Sequence, residues 1–140
     1  MMLYAIVRCV HVVVGVLGTG TVSAIALVAL QGRRQPAALA GSALPALAIW
    51  ASVSLGLMLL TGIWIDVEMH GVYHTALWFR ASAIGLVLTG ATLGVLRRQL
   101  AAGLSGRLTP QRSLARVATL AVIASVLVLT IVALMERRPT

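Results

Sequence analysis

The residues able to carry chemistry in this 140-residue chain are few, and most are gathered in one place. The stretch 60–80, LTGIWIDVEMHGVYHTALWFR, holds His70 and His74 of the three histidines, Asp66 and Glu68 of the three acids, and Trp64, Tyr73, Trp78 and Phe79 of the six aromatics. The third histidine, His11, follows Arg8 near the start of a long apolar run. His70 and His74 are four residues apart, so on a continuous helix they would share one face and could bind one metal ion together. A helix break at Gly71 undoes that pairing. Two histidines from different segments could instead ligate haem iron, with Arg8 and Arg80 available for the propionates. Met58 and Met69 are soft thioethers that suit Cu(I) better than zinc. The candidates for cofactor binding are therefore His11, His70, His74, Arg8 and Arg80, and for a metal ion His11, His70, His74 and Met69. Haem b is the expected cofactor and copper the alternative. Against this stands a plainer reading, in which His70 and His74 are solvated loop residues and His11 is a neutral imidazole hydrogen-bonded across helices.

Other chemistries are excluded or unsupported. No Ser-His-Asp arrangement, phosphate-binding loop, dinucleotide glycine pattern or HExxH occurs. Asp66 and Glu68 are two apart, which on a helix points them in different directions, so they make a poor acid/base pair. No catalytic residue is assigned, and the chain reads as a protein that is not an enzyme by itself. The single cysteine, Cys9, rules out an internal disulfide or a CxxC pair and reads as a small buried side chain.

The elements that must position these groups follow from composition. At 60% hydrophobic and 10% charged, with mean hydropathy +1.02, the chain is too apolar for an ordinary soluble domain. A bilayer-spanning helix needs about 20 apolar residues. The length accommodates four spans, near 3–30, 43–65, 75–96 and 113–135, in a single transmembrane domain. The expected fold is all-α, an integral membrane four-helix bundle of up-down topology. The breaks are Gly32 with Pro36, the 60–80 stretch, and a loop over 99–112 carrying Gly103, Gly106 and Pro110. Arg8 and the length of the first run, followed by Arg33 and Arg34, favour a retained span over a cleaved leader, although Ala38-Leu39-Ala40 resembles a cleavage site.

All eleven basic residues are arginine. They cluster at the breaks, so the net charge of +8 reflects membrane topology and gives no expectation of nucleic-acid binding. Seven (Arg33, Arg34, Arg97, Arg98, Arg107, Arg112, Arg116) fall on one side and four (Arg8, Arg80, Arg137, Arg138) on the other. The positive-inside rule then puts both termini and the 60–80 hairpin on the outer side of a bacterial inner membrane. Trp64, Tyr73, Trp78 and Phe79 form the outer aromatic belt. Asp66 and Glu68 are the acids able to pair Arg8 and Arg80, unless those arginines snorkel to the interface.

On the first helix Tyr4, Arg8, His11, Gly15, Gly18 and Val22 alternate steps of four and three, which places them on one face. His11 sits roughly 10 Å along the axis at about 1.5 Å per residue. An ionisable group at that depth is a functional-site hypothesis by default. Gly90 and Gly94 form a GxxxG, Ala81, Gly85 and Thr89 recur every four residues, and so do Ala48, Ser52 and Gly56. These are packing faces for helices of this chain or another. Three functions are open: haem or metal binding with a redox or electron-transfer role, an accessory subunit packed in a larger membrane complex, and copper or small-solute transport. Beyond the lipid bilayer, further copies of the chain or other membrane subunits are the expected partners.

His11 with Gly15, Gly18 and Gly20, then LLTGIW at 59–64, then WFR at 78–80, resembles small four-helix membrane proteins related to the CopD copper-resistance protein and the HemJ-type protoporphyrinogen oxidase. The resemblance covers the first three helices. It implies a role in haem binding for His11 and places Arg80 near the basic residue typical of the third span. The HemJ type continues after its histidine into an aromatic segment ending in Arg, which residues 19–30 lack, so the resemblance does not extend to protoporphyrinogen oxidation.

Overall fold

In the computed structural model, residues 2–34 and 43–136 are described. They form four helices, α1 (Met2–Gly32), α2 (Leu44–Glu68), α3 (Leu77–Leu104) and α4 (Pro110–Glu136), with no strand among the described residues. Each is long and apolar enough to cross a bilayer. The break expected at Pro36, the Ala38-Leu39-Ala40 segment, and Arg137 and Arg138 lie outside the described residues.

Local sequence explains the ends. Pro45 lies in the first turn of α2 and Pro110 opens α4, positions where the missing amide hydrogen costs nothing. α3 continues to Leu104, beyond the span expected to close at Leu96 and into the expected loop. The apolar run stops at Arg97, but the following residues are good helix formers, and Leu100 and Gly103 are buried. The turn to α4 is made at Ser105–Leu108, with Gly106 at φ +74°. Ser113 Oγ donates to the Gln99 carbonyl at 2.9 Å and Arg116 donates to the Gln99 side chain at 3.2 Å, tying α4 to α3.

α1 packs against α2 and α4, α3 packs mainly against α4, and α2 and α3 touch least among neighbours; the diagonal pairs scarcely meet. The core is continuous at one end of the bundle. Val22, Ile25 and Ala29 of α1, Leu44, Ala48 and Ala51 of α2, Leu93, Leu96 and Leu100 of α3, and Leu114, Val117 and Ala121 of α4 are all essentially solvent-free. Of the stripe read on the first helix the inner part is buried, Gly18 and Val22 continuing into Ile25, Ala26 and Ala29, whereas Arg8 is exposed, and so is Cys9, which the sequence suggested was buried. The outer surface is apolar, with Leu17, Leu27, Trp50, Leu60 and Ile63 each more than half exposed, as expected where lipid is the solvent.

The small-residue faces divide. Gly85 faces Ile131 of α4, and Thr89 is fully buried. Gly90, Gly94 and Gly56 have nothing within 4 Å of where a Cβ would stand, so the GxxxG is unused within the chain.

Candidate functional site

At the other end the helices enclose a cavity of about 350 Å³. Its walls come from the first part of α1, the last part of α2, the start of α3 and the end of α4. Tyr4, Arg8 and His11 supply polar groups from α1. Trp78, Phe79 and Ser82 come from α3, and Met58 and Met135 bring thioethers from α2 and α4.

His11 is held against α2. Its Nδ1 lies 2.8 Å from Thr61 Oγ1. That hydroxyl also stands 2.7 Å from the Leu57 carbonyl and 3.2 Å from the Met58 carbonyl. The hydroxyl has one hydrogen, so it either donates to a carbonyl and accepts from Nδ1–H or donates to an unprotonated Nδ1, according to the tautomer. The ring is thus tied to α2 through Nδ1. The ring lies against Gly62, where a Cβ would stand 3.3 Å from His11 Cε1. A larger side chain at 62 would push the imidazole off α2.

Ser82 is the polar group that sequence reasoning missed. Helical hydroxyls in this chain, such as Thr19, Ser52, Thr89, Ser125 and Thr130, each donate to the carbonyl four residues back, which makes them tolerable in apolar helices. Ser82 does not: its Oγ is buried and has no hydrogen-bond partner among the described residues, while the residue itself borders the cavity. Such an atom in a native protein calls for an explanation, because leaving it unsatisfied costs about 1–3 kcal/mol. Aromatic rings close the wall beside it. Tyr73 meets Trp78 edge-on at 5.8 Å, and Trp78 meets Phe79 edge-on at 5.9 Å.

The candidate residues thus separate. Arg8 and His11 line the cavity; His70, His74, Met69 and Arg80 do not. α2 ends in a Schellman-type cap, with Gly71 N donating to Asp66 O at 2.8 Å and His70 N to Val67 O at 3.0 Å. His70 occupies the left-handed position at φ +58° and Gly71 follows at φ +73°. A Cβ at Gly71 would stand 2.6 Å from the His74 ring. Residues 70–76 are turns, so the shared helical face that would pair His70 with His74 does not form. Among the described residues, no group of three or more His, Cys, Asp or Glu side chains could hold a metal ion.

The expected pairings of acids with arginines are replaced by bonds within the hairpin. Asp66 Oδ1 accepts from the Tyr73 and His74 amides at 2.9 and 3.1 Å, and its other oxygen lies 3.8 Å from His74 Nδ1. Arg80 Nε donates to the His74 carbonyl at 2.7 Å. Arg8, exposed at the cavity rim, has no carboxylate within 4 Å among the described residues. No protein-family model matches the chain, and no curated protein and no solved structure matches it.

Proposed function

We propose that this is a multi-pass protein of the bacterial inner membrane, an up-down bundle with both termini outside, whose cavity binds a redox-active group at His11 and gives the protein an electron-transfer role. The observation that carries the reading is the fixed imidazole. A histidine held through Nδ1 by a neighbour in the wall of a cavity is arranged as ligand-binding histidines are.

The donor set was compared with the two groups the chemistry suggests. A lone metal ion fits poorly, since His11 brings no second imidazole or carboxylate with it. Haem b fits on the donor side: His11 would hold the iron, the thioethers of Met58 or Met135 line the same space, and Arg8 would pair a propionate. When bound, haem supplies one-electron chemistry, and the chain's part is to fix the imidazole and exclude water. In volume the cavity is near the lower end of the range of about 300–1,000 Å³ usual for organic ligands. The resemblance to CopD- and HemJ-related proteins supports the same residue, because Thr61 and Gly62 of LLTGIW are the ones that touch His11.

An oxidised-minus-reduced visible spectrum of protein purified with haem supplied during expression tests this. A b-type band that His11→Ala abolishes supports haem, and a featureless spectrum removes it. A second reading, an accessory subunit without cofactor, is favoured by one observation, the uncovered Gly90 and Gly94 on α3. It predicts a colourless protein that co-purifies with another membrane subunit.

A further inference from the structure

We propose that the groove between α3 and α4 at the packed end of the bundle binds one anionic phospholipid, its phosphate on Arg116 and an acyl chain along the groove. Such a site needs the bilayer as the protein's solvent, and neither the cavity nor haem. Seven arginines lie at this end, all exposed, and none has a carboxylate within 4 Å among the described residues. The chain's three acids are placed elsewhere: Asp66 and Glu68 close α2 and Glu136 closes α4, at the cavity end. Five of the seven, Arg97, Arg98, Arg107, Arg112 and Arg116, fall on the corner where α3 turns into α4. Their counter-charge must come from outside the chain, and anionic lipid head groups supply it.

The groove is divided as a phospholipid is. Val95 and Gln99 of α3 and Ala115, Arg116, Thr119 and Leu120 of α4 line it. Gln99 and Arg116 lie nearest the turn between the helices, and Val95 and Leu120 lie about one helical turn further from it. The apolar run of α3 stops at Arg97, so the polar end of the groove meets head groups and the apolar end meets acyl chains. Arg116 is oriented by a neutral partner, one N–H donating to Gln99 Oε1 at 3.2 Å, and it stays exposed. Its charge and its other N–H groups are left for a phosphate, which a guanidinium binds through paired hydrogen bonds. Arg112, four residues earlier, shares that helix face and adds a second cation. A zwitterionic head group would bring its own cation into this cluster, and a free phosphate would gain nothing from the apolar half.

The test is native mass spectrometry of the purified full chain in detergent, titrated with phosphatidylglycerol and, separately, with phosphatidylcholine of the same acyl chains. We expect one phosphatidylglycerol per chain, held roughly tenfold more tightly than phosphatidylcholine, since each arginine near an anionic surface contributes severalfold. Arg116→Gln alters an exposed side chain with one hydrogen bond, so it folds, and it should weaken phosphatidylglycerol binding roughly fivefold. Gln99→Leu keeps the charge but frees the guanidinium, and should weaken binding roughly threefold, the cost of ordering one side chain. Arg33→Gln, on α1 and diagonal to α3, should leave binding unchanged. Equal retention of the two lipids, as when the arginines serve topology alone or meet an acidic partner segment, overturns the proposal. So does unchanged binding in Arg116→Gln, an equal loss in Arg33→Gln, or displacement of the lipid by equimolar inorganic phosphate. Selective lipid binding with a featureless visible spectrum supports the site and removes only haem; a b-type band without lipid selectivity does the reverse.

Discussion

The two ends of this bundle are built from the same four helices but solve opposite problems. At the end lined by Val22–Ala29, Leu44–Ala51, Leu93–Leu100 and Leu114–Ala121, small and branched apolar residues interlock and leave no space. At the end lined by Tyr4–Val12, Met58–Ile65, Trp78–Leu86 and Ile131–Met135, aromatic and thioether side chains stand around a cavity with a held imidazole in its wall. The first end holds the helices together, and the second is free to give up packing for binding. The hairpin over the open end is secured by polar bonds of its own, from Asp66 and Arg80, rather than by a core.

That contrast can be broken at several points. Ile25→Ala should carry the largest cost, about 2–4 kcal/mol, because it leaves a void among wholly buried neighbours; thermal unfolding in detergent reads it, and ligand binding by surviving protein should be unchanged. Asp66→Ala strips the acceptor from two backbone amides and should cost about 1–3 kcal/mol in the same assay, with faster proteolysis confined to residues 69–76. His70→Gly should stabilise by about 1 kcal/mol, since it relieves a left-handed backbone position, and leave ligand binding intact. A loss of binding in that variant would bring His70 back into the site. Met58→Ala should have the smallest effect on stability, below about 1 kcal/mol, because its side chain already borders open space. A cost equal to that of Ile25→Ala would mean the two ends are not different.

Much of the packed end was legible in the sequence, because lipid-spanning helices announce themselves by length and hydropathy, and the three-four spacing of Gly18 and Val22 marked the buried face of α1. The open end was legible only in part. His11 and Arg8 stood out as charged or ionisable groups within an apolar run. Thr61 and Ser82 did not, since a serine or threonine in such a helix ordinarily returns its hydroxyl to its own backbone, and only the structure distinguishes one that grips a ring from one left alone. For His70 and His74 the sequence left their pairing to whether the helix breaks at Gly71. The chain enters the left-handed region one position earlier, at His70, and that turn removes the helical spacing on which their pairing depended.

The central claim is the state of one imidazole. Nitrogen-15 NMR of histidine-labelled protein, with His11 assigned by comparison with His11→Gln, reports which ring nitrogen carries the proton. Ligation through Nε2 requires the proton on Nδ1, so the account predicts that Nδ1 is protonated and that Thr61→Val, which removes the oxygen beside it, releases this preference. A resonance pattern with the proton on Nε2, unchanged in Thr61→Val, would contradict it.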